Sequence, residues 1–204
     1  MKKSLIAVLL AVSCVLFLSV CQRQTETSDV FVEEIIAQLP AEQGAGVILS
    51  HYATRNFIEG AIPAGDLDTI LQTGVRAPSA RNRQPWHFTV VRDLELAQKI
   101  IPQTLEGNVI VVVSAEGDGK TNAVEIIDCS LAVQSIYLAA QALGYGSRIY
   151  TGPIGSLNDN LKGELDLPAG HNAVVAVRIG LDGTTDAVSA ASARNPADSM
   201  ITYK

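Results

Sequence analysis

Between positions 76 and 86 the chain reads Arg76-Ala77-Pro78-Ser79-Ala80-Arg81-Asn82-Arg83-Gln84-Pro85-Trp86. Serine and asparagine side chains, with free backbone amides, suit a flat polar ligand. Guanidinium groups meet an anion through paired N–H donors. Loops carried on rigid elements often hold such groups. The same residues also suit a plain helix-to-strand connector with a solvated basic face, and the loop alone does not choose between the two. A second stretch, Ser114-Ala115-Glu116-Gly117-Asp118-Gly119-Lys120-Thr121, is one residue from a phosphate-cradling loop. Its first position should be glycine and no acid stands out as a magnesium partner, so a polar turn is expected there. His51, His87 and His171 share no ligand spacing with cysteines or carboxylates, and no metal site is expected. His87 reads as a half-buried strand residue and Trp86 as core. Cys129 reads as a small hydrophobe on an apolar helix. No G-x-S-x-G nucleophile signature occurs.

Elements must hold these residues in place. Leu67, Ile70, Leu71 and Val75 fall at helical spacing, with Pro63 near the start and Pro78 blocking continuation. Trp86 to Val91 is rich in aromatic and β-branched residues and predicts a strand. Val109 to Val113 is an unbroken apolar run, the pattern of a strand buried on both faces. Asn122 to Leu143 is the longest helical stretch, apolar almost all round, and Gly144 punctuates its end. Ala173 to Leu181 predicts a further strand. A short helix is expected over 30–39, ended by Pro40. The order helix, strand, strand, long helix, strand predicts a small sheet of three strands in a layered α+β domain.

The chain has 204 residues, 48% of them hydrophobic and 18% charged, which excludes a disordered chain. A formal net charge of −6 argues against a nucleic-acid partner. Lys2 and Lys3 precede an uncharged apolar run from Leu5 to Val20, the layout of a secretory signal. Leu18-Ser19-Val20-Cys21 resembles a bacterial lipobox, although Val20 stands where a small residue is usual. The expected organisation is a signal peptide over 1–20 with Cys21 lipidated and a flexible tether over 21–29. One domain follows over 30–204, with an extended tail from about 182. This places the domain outside the cytoplasm, anchored to a membrane by its N-terminal lipid. Cys129 would then have no internal disulfide partner.

Ala77-Pro78-Ser79, Asn82 and Gln84-Pro85-Trp86, followed by a strand, resemble the flavin-contacting segment of the nitroreductase family. Other segments fall in that family's order. Thr54-Arg55-Asn56-Phe57 and Ile62-Pro63 resemble its phosphate-binding segment and the entry to the next helix. Asp128-Cys129-Ser130-Leu131-Ala132-Val133-Gln134 resembles its central dimer-interface helix. Leu165-Asp166-Leu167-Pro168 with Val177-Arg178-Ile179-Gly180 resembles its last helix end and core strand. Ala193-Arg194-Asn195-Pro196 resembles its C-terminal basic segment. The resemblance covers roughly residues 47–204. It implies an α+β nitroreductase-like fold, a mixed or antiparallel sheet flanked by helices, and an intertwined homodimer. It also implies an FMN-dependent oxidoreductase that takes a hydride from NAD(P)H and reduces a nitroaromatic, quinone or similar small aromatic acceptor. In such enzymes the flavin carries the chemistry, so no protein acid, base or nucleophile need stand out. By position, Pro78, Ser79 and Asn82 would contact the flavin ring and ribityl chain. Arg55 and Arg194 would face the phosphate, with His51 beside them. Gly152, Pro153, Ile154 and Gly155 would approach the ring edge by backbone amide.

Two positions depart from the pattern. His51 and Ala53 stand where the family has a basic residue and a serine, so one guanidinium and one hydroxyl are missing. A hydrogen bond to a charged group contributes about 1.5–3 kcal/mol. His51 recovers part of this, since a nearby dianion favours its charged form. The competing reading is a lipid-anchored protein that holds flavin or another small planar ligand without turnover. Export also sits awkwardly with a nicotinamide donor, which is scarce outside the cytoplasm.

Overall fold

The structure is a computed structural model that describes residues 41–117, 122–186, 192–196 and 199–204. The expected signal, Cys21, the tether and the helix over 30–39 lie outside the described residues. The chain divides into Met1–Gly44 and Ala45–Lys204. The sheet and the contacts below belong to the second unit.

The elements are α1 (Ala41–Ser50), β1 (Phe57–Ile58), α2 (Ala64–Val75), β2 (Trp86–Val91), α3 (Leu94–Ile100), β3 (Val109–Glu116), α4 (Ala123–Ala142), β4 (Gly146–Tyr150), α5 (Ile154–Asn160) and β5 (His171–Asp182). All strand pairs are antiparallel, and the order across the sheet is β4-β5-β3-β2, with β1 also paired to β5. The sheet therefore has five strands where three were expected. The extra two are a two-residue strand and a strand with polar residues on both faces, neither of which shows alternation.

β3 is the centre. Every residue from Val109 to Ala115 is buried, as its apolar run predicts. Val109, Val111 and Val113 face a layer made by α2 and α4, with Leu67, Ile70 and Ile136. Ile110 and Val112 face the opposite layer, with Ala97, Ile100 and Leu157 from α3 and α5. Helices thus cover both faces of an antiparallel sheet. Ser114 is not part of a turn: it is buried within β3, and its hydroxyl lies 3.3 Å from His171 Nδ1. His87 is exposed rather than half-buried, and its ring edges onto His171. Trp86 is half-buried, packed on the α4-side core and stacked with Phe88.

Polar side chains fix the parts that hydrophobic burial leaves loose. Arg178 on β5 is buried and donates through Nε and Nη2 to Asn108 Oδ1, at 2.9 and 2.6 Å. Its guanidinium lies 4.1 Å above the Phe57 ring, a cation–π contact. Asn108 Nδ2 donates to the Ile58 carbonyl, so this group ties β1 to the sheet. Burial pulls the Arg178 pKa down from its ordinary value. On the α4 side, Asp182 Oδ2 accepts from Tyr52 Oη at 2.7 Å and from Thr54 Oγ1 at 3.1 Å, while Oδ1 accepts from the Thr184 amide. Gln141 of α4 joins in by donating to the Tyr52 carbonyl and the Ser147 hydroxyl.

Gly107 precedes β3 with φ +79°, and a Cβ there would lie 2.4 Å from the Gly60 carbonyl group. Gly107→Ala meets both backbone strain and a backbone clash. It should lower unfolding free energy by roughly 2–3 kcal/mol in urea melts. Asp182 supplies a pH test. Burial works to raise its carboxyl, but hydrogen bonds from Thr184, Tyr52 and Thr54 outweigh that and leave it below the usual carboxylate range. A depressed folded pKa contributes stability above the unfolded value of about 3.9. That contribution is lost as pH falls through the folded value. Asp182→Asn should therefore lose less stability than wild type between pH 5 and pH 3 (on the order of one carboxylate's titration range).

Candidate functional site

The Pro78–Pro85 loop leaves α2 at a tight turn, where the Ala77 amide bonds to the Gly74 carbonyl. Gly74 lets α2 lie close to α4, since a Cβ there would meet Ile136 side-chain atoms at 2.7 Å. The loop then enters unusual backbone territory. Arg81, Asn82 and Gln84 have φ of 56°, 54° and 48°. These are three of the four non-glycine residues with positive φ among the described residues. Such residues cost of order 1–3 kcal/mol each and cluster at ligand sites.

Local bonds hold this shape. The Gln84 amide donates to Ser79 Oγ at 3.1 Å, and Gln84 Nε2 donates to Asn82 Oδ1 at 3.0 Å. Asn82 N and Arg83 N donate to the carbonyls of Ser79 and Ala80. The Ser79 hydroxyl hydrogen and the Asn82 NH2 group have no partner among the described residues. Asn82 and the flanking Arg81 and Arg83 are exposed, as is Pro78, and Ser79 is half-buried. Polar donors are thus presented on a preset backbone. The Ala80 amide faces the other way, into Asp128 of α4, at 3.0 and 3.2 Å from its two oxygens.

A second group gathers at the C-terminal half of α4. The His51 ring lies edge-on to Tyr137, with centroids 5.5 Å apart. His51 Nδ1 bonds to the Ile48 carbonyl at 2.5 Å. A carbonyl only accepts, so Nδ1 carries the hydrogen and Nε2 is left for another partner. Burial pushes the Tyr137 hydroxyl up, while Gln141 and the charge of Arg194 pull it down. Arg55 is exposed and without a partner among the described residues. Ala53 is exposed, and Thr54 does not replace the missing hydroxyl. Thr54 is fully buried, donates to Asp182 and accepts from the Ser147 amide. The two groups seat on α4 at Asp128 and Tyr137, roughly two and a half turns apart.

The Thr151–Gly155 stretch is not brought to the Pro78–Asn82 loop. It follows β4, and β2 is the opposite edge of the sheet, beyond β5 and β3. It is also not all loop. Ile154 and Gly155 open α5, and the Ile154 side chain packs into the α3–α5 core. A Cβ at Gly152 or Gly155 would meet nothing within 4 Å, so the fold itself does not require glycine there.

Cys129, next to Asp128, is buried. Burial, with the charges of Asp128 and Glu125, pushes its thiol up to about 12, so it stays protonated at neutral pH. Sequence reading did not single out Asp128 or Tyr137 as site residues. The available signal was an acid in the middle of an apolar helix, which needs a partner. The outward face of α4 carries Val124, Ile127 and Leu131, which are 40%, 58% and 39% exposed. That is an apolar stripe at helical spacing with no cover among the described residues.

Known proteins share this chain's pattern. The profile of the nitroreductase family matches residues 48–117 and 104–181, together more than half of the chain. A protein of Archaeoglobus fulgidus, named provisionally as an NADH dehydrogenase/NAD(P)H nitroreductase, is 35% identical over 114 residues. That stretch is 52% of this chain and 66% of the relative. A similarly named protein of Methanothermobacter thermautotrophicus is 32% identical over 124 residues, 57% of this chain and 63% of the relative. The chain thus spans just under two thirds of the length of these curated relatives. Among solved structures, a Desulfitobacterium hafniense nitroreductase with bound FMN superposes with a TM-score of 0.67 at 23% identity, over 79% of this chain and 97% of that one. A Desulfovibrio desulfuricans nitroreductase-like protein in complex with FMN superposes at 0.66 and 25% identity, over 79% and 96%. The matched span includes His51, Arg55, the Pro78–Pro85 loop and α4, though not Arg194, and on this span the chain belongs to the nitroreductase family.

Proposed function

We propose that this protein is an FMN-dependent oxidoreductase, working as a homodimer and anchored outside the cytoplasm by a lipid on Cys21. The observation that carries the flavin reading is the loop with three left-handed residues, in which the Ser79 O–H and the Asn82 side-chain NH2 group have no partner among the described residues. A flat heterocycle with several acceptors fits such donors. The FMN-bound relatives named above support the same choice of ligand.

When bound, FMN supplies the redox chemistry, taking a hydride from a reduced nicotinamide-type donor and passing electrons to a nitroaromatic, quinone or similar acceptor. The chain's own contribution is to bind and orient. Pro78, Ser79 and Asn82 hold the ring and ribityl chain. Arg55 and Arg194 neutralise the phosphate, and His51 offers Nε2 as a further contact. The second copy covers the Val124, Ile127 and Leu131 stripe of α4, which otherwise leaves apolar surface in water. Gly152 and Gly155 remain the proposed backbone approach to the ring edge, from a copy other than the one that supplies the loop.

Purified full-length protein in mild detergent should carry flavin absorbance through gel filtration, or be saturated by micromolar FMN. Arg55→Ala and Arg194→Ala should each weaken FMN roughly ten- to hundredfold with no change in melting temperature, because both side chains are exposed. A colourless protein that FMN does not saturate would favour the anchored binding protein without turnover. The absent hydroxyl at Ala53 is the feature that speaks for it. In a bacterial host the wild type should sediment with membranes, and Cys21→Ser should release it to the soluble exported fraction. Sedimentation that ignores the substitution would remove the lipid from this proposal.

A further inference from the structure

α4 is apolar nearly throughout its buried face, yet that face holds Asp128, which is only 3% exposed. A carboxylate so placed needs donors. Among the described residues it has one, the Ala80 amide, reached by both oxygens at 3.0 and 3.2 Å. The loop depends on this bond as much as the carboxylate does. The other hydrogen bonds made by residues 78–85 run within the loop: Asn82 N to Ser79 O, Arg83 N to Ala80 O, Gln84 N to Ser79 Oγ, and Gln84 Nε2 to Asn82 Oδ1. Ala80 N to Asp128 is thus the one hydrogen bond among the described residues that ties this stretch to the rest of the chain. It acts at the residue before the left-handed pair Arg81 and Asn82, where backbone strain must be held against relaxation.

We infer that Asp128 is a positioning residue. It fixes the Ala80 amide against α4 and so sets where Ser79 and Asn82 present their donors. The inference rests on the flavin reading above for what those donors meet, but not for the tether itself. A carboxylate or amide oxygen at this position can accept the Ala80 N–H and hold the strained loop against relaxation. It also leaves the ligand-facing edge of the loop untouched, because the acceptor lies on the helix side.

The test is hydrogen exchange on the full-length protein without ligand, followed by FMN titration, for wild type, Asp128→Asn and Asp128→Ala. Asp128→Asn keeps an oxygen acceptor in the same place. Asp128→Ala should speed exchange of the 79–84 amides roughly tenfold or more while β3 and β5 amides are unchanged, and should raise the FMN Kd about tenfold or more. Asp128→Asn should stay within about threefold of wild type in both. Unchanged loop exchange in Asp128→Ala overturns the inference, as does loss of protection spread equally over β3 and β5, since Asp128 would then serve the core. If wild type takes up no FMN but the loop amides still respond selectively, the flavin reading falls and the positioning role stands. If FMN binds to wild type and Asp128→Ala alike, the positioning role falls and the flavin reading stands.

Discussion

A strand that is apolar on both faces cannot leave either one in water, and β3 imposes that constraint on the molecule. Each buried Val/Ile side chain contributes about 1.5–3 kcal/mol only if the layer above it is closed. The valines of one parity require α2 and α4, and Ile110 and Val112 require α3 and α5. Once β3 is central, β2 and β5 must flank it, since its own N–H and C=O groups need partners on both sides. The loop after α2 then has little freedom, because it must run from a helix on one layer to the first residue of β2 at the sheet edge.

α4 is the element most affected. It is 20 residues long and apolar enough to resemble a membrane span, but its buried positions are spoken for by the sheet. Two of its polar side chains reach other segments. Asp128 takes the loop amide, and Gln141 bridges Tyr52 and Ser147. At the turn after the helix, Tyr145 bonds to Asp66 of α2, and that bond is the main reason its hydroxyl is pushed up to about 12. One helix thus sets the relative positions of the α2 loop, the His51 segment and the base of β4.

The sequence made the central elements legible because burial writes itself as a pattern. The Val109–Val113 run, the alternation from Trp86, and the apolar stretch closed by Gly144 all correspond to β3, β2 and α4 within a residue or a few. β4 was not legible because Ser147 and Arg148 are polar on both faces, for local reasons. Ser147 bonds to the Tyr137 carbonyl, and Arg148 stacks on Tyr150 at 5.1 Å. α3 did carry a signal in Asp93, whose side chain caps the Leu96 amide at 2.8 Å, a cue easily lost in seven residues. At the site, the loop's residue types were readable, but its left-handed backbone was not, since no glycine marks it. The pairing of His51 with Tyr137, and of Asp128 with Ala80, depends on distant segments meeting and leaves no local trace.

The left-handed loop also bears on how this protein would change under selection. Glycine would suit the backbone at 81, 82 and 84 better than Arg81, Asn82 and Gln84 do. Substitutions toward glycine there would relieve strain, yet they would dissolve the preset shape and remove the side chains that hold it. A search for heat-resistant variants that scored folding alone would tend to drift into these positions first. It would return sturdier molecules with a slack recognition surface, the usual conflict between robustness and function.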